Sequence, residues 1–448
     1  MKRLFLPLLG FLSLVLMCCN DNKESGTDSY DPNKPVTIDY FTPDTGRVAE
    51  KVIIIGNNFG NDKSVVTVLF TDNMEKENKA AVVGVDNTTI YCMAPRQAEG
   101  FNKITVKVND QTVVADETFK YSVSENVSTI AGDFVRADGA GKDGSLAEAT
   151  FGQMFGVACI DEQSGIVGQA WENNSVRYVS IDEDAVITIQ NGPVVGKVAI
   201  SNDKTLAYGA TINGANTVYV YKKSQAWVPS RLCDISSGTD LWAVALDGDN
   251  KWLYYVTARG RLGRIEVDNP TNNEILFEHN DFSGGPFAYI AYSAFEDCFY
   301  VTTDKNKILK VWVKEDGTHA YEQINQNNTG TTDGFLADEA KFQYLRGLTI
   351  DEDGNIFVCQ GDNSHVIRKI AYDENMEKRY VTTVLGTSTV HGTDDGSPDI
   401  ALFNGPQDIS YDGNGGYWIA MRYEPALRKY SIESVSYTHL RAHETGAY

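Results

Sequence analysis

The sequence predicts an all-β protein with two domains, a small β-sandwich followed by a six-bladed β-propeller. Long amphipathic helical patterns are missing from a 448-residue chain with 23 tyrosines and 39 glycines, a composition typical of strands joined by tight turns. One motif also recurs at Asp143, Asp333 and Asp395: Asp-Gly, a short acidic spacer, a Phe, and two apolar segments around a Gly turn. Such internal repeats are typical of propellers.

The propeller is expected to span residues 126–433. Each repeat unit contains about four strand-like runs, which matches the four-stranded sheet of a propeller blade. Alternating apolar segments that precede a turn start near six positions spaced 42 to 61 residues apart: Gly156, Val198, Ala243, Tyr289, Gly347 and Asp408. Six starts predict six blades.

The last unit has only three strand-like runs, and its fourth strand is expected from the other end of the domain. The segment "NVSTIAG" (Asn126–Gly132) has the pattern of "YVTTVLG" (Tyr380–Gly386), the fourth run of the preceding unit. Joining the first and last blades in this way removes the free sheet edges that an open array exposes. We expect the recurring motif to serve the packing between neighbouring blades.

The propeller repeats resemble the NHL family. The segment "GLTIDEDGNIFVCQGDNSHVIRKI" (Gly347–Ile370) is similar to the strand–turn–strand–loop–strand core of that repeat. Units one, five and six carry the motif, whereas units two to four keep only the strand pattern. The resemblance implies a binding or scaffold fold and leaves the activity open.

The first domain, residues 35–122, has strand signals about every ten residues with turn residues between them, as in a small β-sandwich. The order "I-x-x-F-x-P…G…V-x-I-x-G-x-N-F-G…A-P…G…V-x-V…F-x-Y" resembles the IPT/TIG family of immunoglobulin-like domains. The segment "KVIIIGNNFG" is expected to place a strand before a Gly-Asn turn with positive backbone φ. The resemblance implies a spacer or a support for a binding module.

The first nineteen residues, "MKRLFLPLLGFLSLVLMCC", resemble a bacterial lipoprotein signal peptide. Two basic residues precede an apolar run that is short for a bilayer span, and two cysteines follow. Cys19 is favoured as the lipidated residue because Leu16 lies three residues before it and the small Cys18 just before it. Cys18 stays open. The polar segment 20–34 is expected to be a flexible tether.

The last segment, residues 434–448, fits no strand position of the repeat. Its sequence, "SVSYTHLRAHETGAY", resembles a translated vector or adapter sequence. His439 and His443 are therefore left out of the candidate site, and the remaining histidines show no spacing of metal ligands.

The formal net charge of −22 argues against binding to nucleic acid or to an anionic membrane surface, since both select for Lys and Arg. Membrane contact is expected only through the N-terminal lipid. Five cysteines in the folded region are far apart and mostly in apolar segments, which favours small buried side chains over disulfides or a metal site: Cys92, Cys159, Cys233, Cys298 and Cys359. No cofactor or metal is expected.

The Asp-Gly turns invite comparison with calcium loops. "DEDGN" (Asp351–Asn355) begins like one but lacks the later ligands and the bidentate Glu that calcium binding requires. The related segments at Asp161 and Asp412 also suit tight turns, and the turn interpretation is favoured.

The loops between the second and third strands of each unit are expected to open on one face of the ring. Aromatic, amide, carboxylate and guanidinium groups are frequent there, and this chemistry can stack on a sugar ring and bind its hydroxyls. The alternative is that these residues cap the loops and face solvent. The candidate ligand-binding residues are Trp171, Glu172, Asn173, Arg259, Asp304, Lys305, Asp362, Asn363, His365, Arg422 and Tyr423.

Together these features predict a lipid-anchored protein of the outer-membrane surface whose propeller binds a ligand. A glycan is favoured by the polar and aromatic loop residues and by a resemblance to exported lipoproteins of glycan-harvesting systems. The expected partner is that ligand, and the resemblance leaves an outer-membrane transporter of a glycan-uptake system open as a second partner. No nucleophile motif such as G-x-S-x-G and no phosphate-binding Gly-rich loop is recognised. A protein–protein scaffold and a propeller hydrolase or lyase remain alternatives.

Overall fold

The computed structural model describes residues 29–432, except 74, 96, 98–99, 123–124, 136–140, 171–173, 193, 213–215, 236–239, 283–286, 327 and 375. The predicted signal peptide, the first part of the tether and the segment 434–448 lie outside the described residues. Within the described part, no helix has the length and apolar character needed to cross a bilayer.

The N-terminal domain is a β-sandwich. One sheet has the strand order β1-β3-β7-β6 and the other β2-β9-β8-β4-β5. The strands are β1 (Thr37–Thr42), β2 (Thr45–Gly46), β3 (Lys51–Asn57), β4 (Val66–Thr71), β5 (Glu77–Lys79), β6 (Ala81–Asp86), β7 (Thr89–Met93), β8 (Gly100–Val108) and β9 (Gln111–Tyr121), with a 3₁₀ helix at Lys63–Val65.

Alternation along β3 explains how the sandwich closes. Val52 and Ile54 are fully buried, whereas their neighbours in the strand are partly exposed, as expected when successive side chains point to opposite faces. Beyond the strand, Asn58 and Gly60 have φ values of +66° and +73°. The predicted positive-φ turn is therefore confirmed, and Phe59 within it is fully buried.

The second domain is the predicted six-bladed propeller. Blade one contains β11 (Gln153–Cys159), β12 (Ser164–Ala170), β13 (Ser175–Ser180) and β14 (Ala185–Asn191). Blade two contains β15 (Val194–Val195), β16 (Ala199–Ile200), β17 (Leu206–Ile212), β18 (Thr217–Lys222), a 3₁₀ helix at Lys223–Gln225 and β19 (Pro229–Asp234). Blade three contains β20 (Leu241–Leu246), β21 (Trp252–Thr257), β22 (Arg261–Glu266) and β23 (Asn273–Glu278).

The remaining blades follow the same order. Blade four contains β24 (Ala288–Ser293), β25 (Cys298–Thr303), β26 (Ile308–Val313) and β27 (His319–Gln323). Blade five contains β28 (Gly334–Phe335), β29 (Leu345–Ile350), β30 (Ile356–Gln360), β31 (Val366–Asp373) and β32 (Lys378–Leu385). Blade six contains β33 (Pro406–Tyr411), β34 (Gly416–Met421), β35 (Leu427–Ile432) and β10 (Glu125–Ala131).

The N-terminal strand closes the ring. β10 pairs antiparallel with β35, with Val127 opposite Tyr430 and Thr129 opposite Arg428. The closure prediction from "NVSTIAG" is thus confirmed. The first strands β11, β16, β20, β24, β29 and β33 pack against one another around the axis. This closed arrangement leaves no blade without a neighbour.

The recurring Asp-Gly motif fastens the outer strand of its own blade. Asp333 accepts hydrogen bonds from Thr383 N (3.0 Å) and Oγ1 (2.9 Å) on β32. It also pairs with Arg368 Nη2 on β31 at 2.7 Å. The Arg368 side chain is fully buried, and its guanidinium lies 5.2 Å from the ring centre of Phe342, the Phe of the motif.

The same arrangement occurs in blades one and six. Arg177 pairs with Asp143 at 2.7 Å, and Arg428 with Asp395 at 2.6 Å. Both carboxylates bind a threonine of the outer strand through its backbone N and Oγ1: Thr188 for Asp143 and Thr129 for Asp395. We name these three arrangements the outer clamps. The polar contacts of the motif thus lie within one blade, whereas its phenylalanine packs between blades, as expected: Phe151 lies in one buried cluster with Trp418 and Leu427 of blade six.

A buried ion pair crosses the axis. Lys197, between β15 and β16, donates from Nζ to Asp408 Oδ1 at 2.8 Å and to the carbonyl oxygens of Leu348 (2.7 Å) and Ile409 (2.9 Å). Burial raises the pKa of Asp408, and the Lys197 ammonium opposes that rise. Gly347 leaves room for this group, since a Cβ there would lie 1.8 Å from Asp408 Oδ1. Blades two, five and six are thereby joined at the centre.

The two domains contact each other through ion pairs and apolar side chains. Lys63 Nζ lies 2.8 Å from Glu339 Oε1 and 4.3 Å from the ring centre of Phe335 in the propeller. Val83 and Met93 of the sandwich pack in one buried cluster with Phe335 and Tyr380: this cluster is continuous across the boundary. The sandwich therefore packs against blade five.

The Asp-Gly segments form turns, as the sequence interpretation favoured. Asp351 Oδ1 accepts from the backbone N of Asp353 (3.1 Å) and Asn355 (2.8 Å), and Gly354 has φ +75°. Four of the five cysteines are buried, in agreement with their interpretation as small apolar side chains, and Cys233 is partly exposed.

Candidate functional site

A cluster of charged and polar side chains lies where the first strands of the blades begin and the second strands end. Its members come from blades one, four, five and six, and in the sequence they are up to 270 residues apart. We name this cluster the axial site: Gln153, Asp304, Arg346, Asp362, Arg422 and Tyr423.

Arg346, on the first strand of blade five, joins two loops. Its Nη1 donates to Asp304 Oδ1 at 2.6 Å, and its Nη2 donates to Asp362 Oδ2. The Arg346 side chain is only 2% exposed, whereas the carboxylates of Asp304 and Asp362 are 24% and 18% exposed. The arginine is thus enclosed, and solvent reaches the two carboxylates.

Arg422 and Tyr423 approach the same carboxylate from blade six. Tyr423 donates its hydroxyl to Asp362 Oδ1, and Arg422 Nη1 lies 3.5 Å from that oxygen. Arg422 Nε also donates to Gln153 Oε1 at 3.1 Å. The Asp362 carboxylate therefore contacts two guanidinium groups and one phenol.

Three aromatic rings form a floor beneath the two arginines. We name Phe155, Trp242 and Phe287 the aromatic floor; all three are buried, and the ring centres of Trp242 and Phe287 are 5.0 Å apart. The Arg346 guanidinium carbon lies 4.2 Å from the ring centre of Phe287, and that of Arg422 lies 5.1 Å from the same ring. Cation–π contact is strongest in such desolvated settings, which holds both guanidinium planes in place.

Hydrogen bonds hold the backbone of the aromatic floor at Phe155. Tyr289 donates its hydroxyl to the carbonyl oxygen of Phe155 at 2.8 Å and accepts from Gln407 Nε2 at 2.6 Å. Burial is the main reason that the pKa of Tyr289 is raised, so the phenol stays neutral and remains a donor. Two polar atoms of the site remain without a protein acceptor among the described residues, Trp242 Nε1 and Arg346 Nε.

Four of the sequence-predicted site residues meet in the axial site: Asp304, Asp362, Arg422 and Tyr423. Arg259, Lys305 and Asn363 are exposed on the same end of the propeller, and the structure records no contact that joins them to the cluster. Trp171, Glu172 and Asn173 lie outside the described residues.

His365 is a supporting residue rather than an exposed ligand group. It is 7% exposed, and its Nδ1 accepts a hydrogen bond from the backbone N of Gly405 at 3.2 Å. Burial lowers its pKa, and the neighbouring His391 lowers it further, while the carboxylates of Asp362 and Glu424 act against this shift. The neutral His365 ring thereby links the loop between β30 and β31 of blade five to Gly405, which directly precedes the first strand of blade six.

Sequence reasoning missed Arg346, Gln153 and the aromatic floor. These residues lie on or beside first strands, whose apolar pattern resembles ordinary core. One signal was present, because "YLRGL" places an arginine within the otherwise apolar first strand of blade five. A charged residue at such a position needs a buried partner, and this marks it as unusual.

Comparison with known proteins supports both domains. Residues 35–121 match the IPT/TIG domain family, which confirms the resemblance of the N-terminal domain. No curated protein matches the chain. A Bacteroides thetaiotaomicron protein of unknown function has a solved structure that is 37% identical, with a TM-score of 0.62, and the match covers 90% of this chain and 99% of that protein.

Two other solved structures share the fold at lower identity. An auxiliary nutrient binding protein from Bacteroides thetaiotaomicron is 21% identical with a TM-score of 0.57, covering 90% of this chain and 99% of its own. An auxiliary nutrient binding protein from Bacteroides ovatus is 20% identical with a TM-score of 0.56, covering 91% and 100%. At 37% identity over nearly the whole length, this chain, an IPT/TIG domain followed by a six-bladed propeller, belongs to the same family as the Bacteroides thetaiotaomicron protein of unknown function.

Proposed function

We propose that this protein is a cell-surface lipoprotein that binds a glycan at the axial site as part of a glycan-uptake system. The observation that carries the proposal is the convergence of two guanidinium groups, two carboxylates, an amide and a phenol over one aromatic floor. Catalysis is not required for this role, and the same groups serve binding alone.

The chemistry of the cluster matches that of a sugar. A hydroxyl both donates and accepts, so it can donate to a carboxylate such as Asp304 while it accepts from an arginine such as Arg422. The ring of Tyr423 is 41% exposed and offers an apolar surface beside these groups. A sugar ring can place its C–H face on such a ring and its hydroxyls on the charged edge.

Support from relatives is limited to the fold. Two Bacteroides proteins that share the architecture over nearly the whole chain are described as auxiliary nutrient binding proteins. Their 20–21% identity does not transfer a ligand, but a nutrient-binding role is consistent with an exposed polar site on a propeller.

The proposed location follows from the N-terminal sequence. Lipidation at Cys19, or at Cys18, would anchor the chain in the outer membrane with the polar segment 20–34 as a tether. The end of this segment docks on the sandwich: Asp31 N donates to Asn58 Oδ1 at 2.8 Å, and Gln111 Nε2 donates to Tyr30 OH at 3.1 Å. An outer-membrane transporter is the proposed partner that would receive the glycan.

A glycan array followed by calorimetric titration tests the proposal on the full-length protein purified in detergent. Arg422→Ala removes a donor and a guanidinium plane from the site, so we expect affinity for the best glycan to fall about tenfold, the effect of one charged hydrogen bond. Lys314→Ala, an exposed change on the outer part of blade four, is the matched control. Equal affinity in both variants, with both folded, would remove the axial site as the binding site.

Release of a cleaved product in the same titration would instead favour the hydrolase or lyase alternative. Capture of no glycan at all would favour the protein–protein scaffold.

A further inference from the structure

Asp362 is the shared counter-ion of the axial site. One of its carboxylate oxygens receives Arg346 Nη2, and the other receives the Tyr423 hydroxyl and lies 3.5 Å from Arg422 Nη1. Asp304, by contrast, pairs with Arg346 alone among the described cations, at 2.6 Å. The two arginines and two aspartates sum to zero charge, and Asp362 lies between the two positive groups.

The loop that carries Asp362 is held in an unusual backbone conformation. Asp362 has φ +43° and His365 has φ +57°, both in the left-handed region that non-glycine residues seldom adopt. Surrounding contacts fix this loop: Gly361 N donates to Tyr344 O at 3.0 Å, and Ser364 N donates to Gly361 O at 2.9 Å. Because such backbone strain persists only where the surroundings impose it, the position of the carboxylate is a built feature.

We propose that Asp362 makes the axial site selective for neutral, hydroxyl-rich saccharides and excludes ligands that carry a carboxylate or sulfate. This inference rests on the proposed glycan-binding function and names the ligand class of that same site. The Asp362 carboxylate already lies between Arg346 and Arg422. An anionic ligand group that approaches the two arginines therefore comes close to this carboxylate, and the two negative charges repel each other. A hydroxyl meets no such barrier, because it can donate to the carboxylate and accept from the guanidinium of Arg422, whose side chain is 11% exposed.

The charge of the whole chain acts in the same direction. A formal net charge of −22 creates a negative potential that lowers the local concentration of anionic ligands. A positive site would be needed to overcome this potential, and Asp362 prevents the two arginines from providing it.

Asp362→Asn is the decisive variant. Asparagine has nearly the same shape and tolerates the left-handed backbone, so the loop should keep its conformation. The change removes the negative charge that Arg346 and Arg422 share, while Asp304 stays paired with Arg346. The site should then accept an anion in place of the lost charge.

Three probes are titrated by calorimetry into the full-length protein in detergent: the best neutral oligosaccharide from the array, glucuronate, and inorganic sulfate as a second anion. We expect wild type to bind the neutral probe and to bind glucuronate at least about tenfold more weakly. In Asp362→Asn we expect the neutral affinity to fall about tenfold and the glucuronate affinity to rise about tenfold, each the size of one charged interaction.

Asp304→Asn and Asp338→Asn are the matched controls. Asp304 pairs with Arg346 but does not lie between the two arginines, so its variant should gain less affinity for anions than Asp362→Asn. Asp338 is exposed and distant from the site, so its variant should gain none.

The outcomes separate the two claims. Wild type that binds glucuronate as tightly as the neutral probe overturns the selectivity inference without any variant, even if Asp362→Asn fails to fold. A folded Asp362→Asn protein without gain for glucuronate or sulfate overturns it as well. If wild type binds no saccharide, the proposed function is wrong; a gain of anion binding in Asp362→Asn would still support the exclusion of anions by Asp362.

Discussion

The protein uses arginine–aspartate pairs in two regions, and the two uses differ. In the outer clamps of blades one, five and six, a fully buried arginine meets an aspartate whose carboxylate also binds the backbone N and hydroxyl of a threonine. In the axial site, Arg346 and Arg422 share Asp362 with the phenol of Tyr423, and these pairs occur once among the described residues of the ring.

The two regions show how structural charge differs from functional charge in a repeat protein. A contact that every copy of a motif repeats serves what all copies share, which is the attachment of the outer strand to its blade. The contacts of the axial site occur in one place and join several blades, so they do not serve that shared attachment. Burial of the arginine does not distinguish the two cases, because Arg368 in an outer clamp and Arg346 in the axial site are both buried.

Loss of an outer clamp should give the largest effect on stability. Asp333→Ala leaves Arg368 buried without its carboxylate and frees Thr383 N and Oγ1. We expect the free energy of unfolding to fall by about 2–3 kcal/mol, less than the ~3–5 kcal/mol for a fully buried pair because Asp333 is partly exposed. Urea denaturation measures it, with the exposed Asp338→Ala as control. An unchanged unfolding midpoint would contradict the structural role of the clamp.

One phenylalanine lies beneath a buried arginine in each of the two regions. Phe342 supports Arg368 in an outer clamp, and Phe287 supports Arg346 in the axial site. Leucine at either position removes a cation–π contact and should lower the free energy of unfolding by about 1–2 kcal/mol. Only Phe287→Leu should also weaken ligand binding, as measured by calorimetric titration of the folded proteins. Equal ligand affinity in the two variants would remove the functional distinction between the regions.

The smallest effect concerns pH. Burial holds the pKa of folded His365 below its usual range, so between that lowered value and the unfolded value near ~6.5 the unfolded state binds more protons. The stability contribution of the neutral ring is present above pH ~6.5 and is lost as pH falls. His365→Gln should therefore reduce the loss of stability between pH 7.5 and 5.5, followed by urea denaturation. An unchanged slope in His365→Gln would contradict the assignment.

The sequence was informative where local pattern and repetition carry the signal. The positive-φ turn after β3 follows from Asn and Gly, and the Asp-Gly turns follow from short side chains that bind the next backbone N–H groups. The number of blades and the closing strand follow from strand runs that could be counted and compared. The resemblance to IPT/TIG domains rests on motif residues such as "NFG", and the family match confirms it.

The sequence alone determined the fold class, the order of the domains and the six blades, because strands and turns depend on residues close in the chain. Only the tertiary structure decided that the recurring motif fastens one blade internally, and that Arg346 and Gln153 meet Asp362 and Arg422. These contacts join blades far apart in sequence, and they form because the closed ring brings the starts of its first strands to one axis. No local pattern records which side chains of different blades will face each other there.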